Sequence, residues 1–357
     1  MRSVLSLILA LGVSLVVIAA ERYPPVLPGK VITFPQDTGA HPDYRTEWWY
    51  VTGWLQDAEG VERGFQVTFF RVRTLLGEDN PSRFAPTQLV FAHAAIADPD
   101  RGRLLHDERV ERALAPLAGT DEGHTRAWIG DWSLVLHEEG HYTTTVQAAD
   151  FGFSLRFDPP GGPVLNGKAG WSQKAPDRIN ASYYYSRPQL AVSGTLEIGG
   201  MVQVVGGHAW LDHEWSSEIL PEDASGWDWI GVNLHDGASL MAFQMRDLAG
   251  GSMFNAGTLV EPGEEAKAKT FAPDEVRFEP LRWWASPRSG IRYPVAWTVE
   301  AGMRRFEIEA LMDDQELDSR SSTGAVYWEG AIRLLENGRE VGQGYLEMTG
   351  YGERLRM

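Results

Sequence analysis

The chain has no cysteine. Disulfides, thiolate metal sites and cysteine nucleophiles are therefore excluded, and so is a lipid anchor carried on a cysteine. It is short of basic residues: 32 Lys and Arg stand against 49 Asp and Glu, a net charge of −17. A surface this acidic repels phosphate backbones and anionic headgroups, so no nucleic acid is expected as a partner. No G-x-S-x-G elbow and no S-x-x-K motif occurs, which leaves serine-hydrolase chemistry without a nucleophile. Long apolar runs are missing after residue 20.

The one long apolar run is at the start. Residues 1–20 begin with Arg2, continue through Val4–Ile18 and end on Ala19 and Ala20. A basic start, an apolar stretch and small residues predict a secretory signal peptide, hence a periplasmic or secreted protein. An uncleaved membrane anchor is the alternative, since about 17 apolar residues is the short limit of a spanning helix. Removing the segment takes away Arg2 and leaves 31 basic against 49 acidic residues, a net charge of −18.

What is abundant is tryptophan, 14 in 357 residues. Indoles offer broad apolar faces to ligands and need a partner for their N–H when buried. Most of the chain alternates with period two between turn residues, as in Phe151, Phe153, Leu155 and Phe157. Asn337-Gly338 is the strongest of several hairpin signals. Only Asp107–Leu117 reads as a modest helix. The class is all-β, an antiparallel meander of barrels or sandwiches.

Internal repetition resolves the choice. Trp48-Trp-Tyr-Val-Thr-Gly-Trp-Leu followed by Gly64–Arg71 is echoed by Trp227-Asp-Trp-Ile-Gly-Val-Asn-Leu followed by Leu240–Arg246. A second echo links 194–208 with 330–344 in the same order. Two related barrels in tandem account for both, with domains expected at 21–215 and 216–357. In each hairpin two aromatics share a strand face: Trp48 with Tyr50, and Trp227 with Trp229. Each pair points into its own barrel or against the other one.

His137-Glu-Glu-Gly-His141 matches the zinc-protease signature H-E-x-x-H, whose chemistry needs a helix. Strand-like flanks and Gly140 predict a hairpin tip here, with no metal. The arm from Phe34 to Tyr50 carries Asp37, His41, Asp43, Arg45 and Glu47, and reads as a plug closing a barrel through ion pairs. The densest chemistry lies in His208-Ala-Trp-Leu-Asp-His-Glu-Trp215. As a strand it puts His208, Trp210 and Asp212 on one face. A histidine, an indole and a carboxyl together offer a proton donor and a wall that stabilises a cation.

These segments, with Gly226-Trp-Asp-Trp229, resemble the AttH-like proteins, which form one superfamily with the carotenoid 1,2-hydratases. The resemblance covers about residues 23–351 and implies two lipocalin-like barrels. It places His208 and Trp210 where the hydratases keep a His-x-Trp pair implicated in activity. The hydratases also use a Tyr and an Asp on a strand of the second barrel. The corresponding Leu240–Arg246 has no carboxylate, a departure from carotenoid hydration. The expectation is a monomeric exported protein that binds an apolar small molecule (isoprenoid, polyene or lipid) near the domain junction. Trp48, Tyr50, Trp227 and Trp229 would hold the ligand, without a cofactor, and an export or ABC-transporter system is a candidate partner. The alternative is a hydro-lyase or isomerase in which His208, Trp210 and Asp212 protonate an isoprenoid-like alkene.

Overall fold

A computed structural model describes residues 23–264 and 267–354, and the expected signal peptide lies outside the described residues. Those residues form two antiparallel sheets and no α-helix. Among them no helix is long and apolar enough to cross a membrane. The first sheet comprises β1 (Thr46–Asp57), β2 (Glu62–Arg73), β3 (Gln88–Asp98), β4 (Arg103–Arg112), β5 (Ala118–Thr120), β6 (Arg126–Ile129), β7 (Trp132–Leu136), β8 (Tyr142–Gln147), β9 (Phe151–Asp158), β10 (Val164–Leu165), β11 (Trp171–Gln173), β12 (Ala181–Ile198) and β13 (Met201–Glu218). The second comprises β14 (Ala224–Leu234), β15 (Ser239–Asp247), β16 (Ser252–Val260), β17 (Lys269–Phe271), β18 (Val276–Ala285), β19 (Arg292–Ala301), β20 (Arg304–Ala310), β21 (Glu316–Ser319), β22 (Ala325–Glu336) and β23 (Arg339–Met348).

The two sheets repeat one topology. The first runs β4-β3-β2-β1-β13-β12-β9-β8-β7-β6-β5, and the second β17-β16-β15-β14-β23-β22-β20-β19-β18. In each, the opening hairpin lies beside the last strand, so β1 corresponds to β14 and β13 to β23. Each sheet curls on itself: β5 and β6 return against β3 and β4, and β18 returns against β15 and β16. The architecture is two lipocalin-like barrels in tandem. Asn337 and Gly338 turn β22 into β23 with φ of 53° and 73°, as a tight primed turn demands.

Asp107–Leu117 is not a helix; its first half belongs to strand β4, paired residue by residue with β3. Its Glu, Arg and Leu residues favour helix locally, but the stretch pairs with β3 at the sheet edge, where its charged side chains keep access to solvent. Tertiary pairing overrides the local preference.

Strands usually bury one face, yet β1 and β14 are buried on both. Trp49, Val51 and Leu55 of β1 fill the first barrel, and Ile230, Val232 and Leu234 of β14 fill the second. The opposite faces meet each other, so the barrels pack outer wall against outer wall. Two glycines permit that approach. A Cβ at Gly64 would sit 2.6 Å from Ala331 Cβ, and one at Gly231 would sit 3.1 Å from Trp210 Cδ2.

Candidate functional site in the seam between the barrels

Tyr50, Trp54, Tyr184, Trp210, Trp229 and Phe243 form one buried aromatic cluster, with Trp48, Trp227 and Phe254 half-buried at its rim. Trp48, Tyr50, Trp227 and Trp229 thus face the opposite barrel rather than their own interiors. Tyr50 Oη donates to Glu329 Oε2 at 3.1 Å, and Trp229 Nε1 donates to Tyr184 Oη at 3.1 Å. The Tyr50 and Trp229 rings meet edge to face, with centroids 5.5 Å apart.

The seam is also rich in carboxyls. Asp212 of β13 receives Tyr184 Oη at 2.6 Å on one oxygen, and Ser186 Oγ at 2.5 Å and Trp210 Nε1 at 2.6 Å on the other. Burial pushes its pKa up to about 7, against the pull of those three donors. The same pattern recurs in the second barrel. Tyr50 stands opposite Asp212 in the ladder, and its echo Trp229 stands opposite Glu347 of β23. Glu347 takes a single hydrogen bond, from Trp227 Nε1 at 3.0 Å. Crowding by protein also raises it to about 7, with Asp212 and Glu214 adding to the effect. Unlike Asp212, Glu347 is only half-buried. Glu329 of β22, directly opposite Glu347, is fully enclosed and held well above the usual carboxylate range by burial and then by Glu347.

One cation answers part of this acidity. Lys174 Nζ lies 2.7 Å from Glu214 Oε1, which Ser182 Oγ also reaches. The ammonium sits over the Tyr184 and Phe243 rings at 4.7 and 4.6 Å.

Of the residues expected to act together, the structure joins Trp210 and Asp212 and leaves His208 apart. His208 is half-buried near His235 and Glu62, where burial lowers its pKa. Four strand residues, roughly 13 Å, separate it from Asp212. Sequence reasoning missed Glu329, Glu347, Tyr184 and Ser186.

The arm before β1 closes the first barrel through ion pairs. Glu47, wholly buried, accepts from His41 Nδ1 at 2.7 Å, His213 Nε2 at 2.8 Å and Arg71 Nε at 2.9 Å. His41 Nε2 also meets Asp37 Oδ1 at 2.9 Å, and its ring stacks on Trp215. The Asp43 carbonyl accepts from Arg73, and Arg45 lies over the Tyr23 ring. The donor atoms of His41, Glu47 and His213 are close enough to surround a metal ion. They are engaged with one another, and the Arg71 cation occupies the carboxylate. His137 and His141 stack at 4.4 Å at the tip of the hairpin joining β7 to β8, with Glu139 beside them. No helix underlies them, so the zinc-protease geometry is absent.

A model of the AttH-like family matches residues 25–351. Among curated proteins no match was found. Among solved structures, a protein from Nitrosomonas europaea assigned as an AttH is 46% identical, with a TM-score of 0.86 over 92% of this chain and 100% of that one. Kievitone hydratase from Nectria haematococca is similar at 15% identity and a TM-score of 0.67, covering 93% and 97%. CghA, solved with Sch210972, is similar at 15% identity and 0.55, covering 86% and 89%. At such identities the last two speak for the fold alone.

Proposed function

The chain belongs to the AttH-like family, and from that premise we propose that it binds an apolar, unsaturated small molecule in the seam between its barrels and exchanges a proton with it there. One observation carries this: two carboxyls poised near neutrality, Asp212 and Glu347, stand among indole and phenol rings where two domains meet. Junctions of this kind are common ligand sites. Protonating an alkene carbon needs an acid that stays protonated near neutral pH in an apolar setting. The tertiary cation that results needs aromatic faces to shield it.

A carrier without turnover is the second reading. The three donors that Asp212 already accepts favour it, because they leave one acceptor position of about four. Export is part of the proposal and rests on the sequence of residues 1–20; N-terminal sequencing of the exported protein should begin near Glu21.

The location is tested with retinol, a neutral polyene alcohol, through quenching of tryptophan emission. Retinol should quench the parent, and Trp227→Ala should abolish saturable quenching. Equal titrations for the two proteins would refute a site in the seam. Mass spectrometry of small molecules extracted from the purified protein would then identify the natural ligand.

A further inference from the structure

We propose that Glu347, backed by Glu329, is the group that delivers the proton to the ligand, and that Asp212 is a positioning residue. This rests on the seam site proposed above. Three geometric facts separate the carboxyls. Asp212 is enclosed and its two oxygens already accept from Tyr184, Ser186 and Trp210. Glu347 has one donor, Trp227, and surface that remains accessible beside the half-buried rim of Trp48, Trp227 and Phe254. Glu329 faces it across the ladder, held by Tyr50 on Oε2, while its Oε1 is buried and has no hydrogen-bond partner. An orphaned carboxyl oxygen in such a place is costly unless a proton or a mobile hydrogen-bonding group visits it.

Each group then has a distinct part. Asp212 fixes Trp210, and with Tyr184 it fixes Trp229, so it sets the aromatic wall. Glu329 is the inner carboxyl that stays protonated, and Glu347 is the outer one that titrates. The charged and titratable groups facing the pair are Asp212 and Glu214 from β13, Tyr50 from β1, Tyr327 from β22 and Tyr345 from β23; Tyr184 and Lys174 lie behind them, on Asp212 and Glu214. Three of the four carboxyls have no cation beside them, so removing water from the seam favours their protonated forms.

The step balances with water as co-reactant. The Glu347 carboxyl gives its proton to one alkene carbon, and the π pair becomes the new C–H bond. The neighbouring carbon is left as a cation facing the rings. Water adds its oxygen there and returns a proton to the Glu347 carboxylate. The net reaction is addition of water, and elimination of water is its reverse.

The test is proton uptake on binding retinol, from calorimetry at pH 7 in two buffers of different ionisation enthalpy. Retinol displaces water from Glu347 and drives it to the protonated form, so the parent should take up as much as about half a proton per retinol. Glu347→Gln should abolish the uptake, Glu347→Asp should restore part of it, and Asp212→Asn should change its size without abolishing it. Uptake that survives in Glu347→Gln, or that vanishes only in Asp212→Asn, would overturn the assignment. So would a parent that binds retinol in the seam without exchanging protons. Failure of the seam site itself shows separately, as quenching indifferent to Trp227→Ala.

Discussion

Glu47→Gln isolates the energetics of the first barrel's closure. The glutamate is wholly buried and serves Arg71, His41, His213 and the backbone N–H of His41. Gln keeps the shape but removes the charge, leaving Arg71 without its anion and His41 with Asp37 alone. Breaking a buried ion pair from one side costs about 3–5 kcal/mol. For a barrel of this size, 1 kcal/mol moves the melting temperature by roughly 2–4 °C, so the first barrel should melt about 6–20 °C lower. Burial alone would raise the Glu47 pKa, but His41 and then Arg71 outweigh it and hold it well below the usual range. A carboxyl depressed by folding stabilises above its unfolded pKa, near 4.5, and that stability is lost as pH falls toward the folded value. Asp37, lowered to about 2, adds a similar acid limb between about 3.8 and 2. His41 has the opposite sign: its raised pKa gives stability that is full below 6.5 and fades as pH rises through the folded value. Calorimetry of parent and variant from pH 3 to 8 should show the variant with a lower melting temperature and a flatter acid limb. A loss below about 1 kcal/mol, with the acid limb intact, would refute the closure by charge.

Trp210→Ala should cost about 3–5 kcal/mol in denaturant unfolding, because the indole is 3% exposed; His208→Ala should cost less than about 1 kcal/mol. Equal losses would put His208 in the core. Gly64→Val forces a Cβ to 2.6 Å from Ala331 and should weaken docking by about 1–3 kcal/mol, seen as faster proteolysis at residues 219–223; an unchanged cleavage rate would contradict the close approach. His93 of β3 bonds Tyr327 Oη at 2.8 Å and Ser322 Oγ at 2.9 Å across the seam, and burial lowers its pKa to about 3. A base depressed by folding stabilises above its unfolded pKa of 6.5 and loses that stability as pH falls toward 3. His93→Gln should therefore remove part of the seam's weakening between pH 6.5 and 3, read from the pH dependence of proteolysis.

The duplication was legible because its turns and alternation are local, as the Trp48 and Trp227 hairpins illustrate. Strand β4 was not legible: Asp107–Arg112 has helix-forming residues, and only pairing with β3 makes it a strand. The Trp210–Asp212 contact followed from alternation on one strand. Glu329 and Glu347 did not follow. Each shares its strand with other charged residues, Arg333 and Glu336 in β22 and Arg339 and Glu340 in β23, the pattern of any solvent-facing position. Only the docking of a second barrel turns that face inward. Which way Trp48, Tyr50, Trp227 and Trp229 point was undecided for the same reason: period two gives the pairs but not the side that is covered.

The interior of each barrel is filled by its own apolar core, and the proposed site lies outside both, along the line where the two walls touch. That line is latched by His93 to Tyr327 and Ser322 at one side, and by Gln189 to Asn233, Leu234 and Ala238 at another. Residence time in such a site is governed by how often the two bodies part, not by the motion of a loop. A guest that bridges both walls also glues them, so occupancy and the cohesion of the halves rise together.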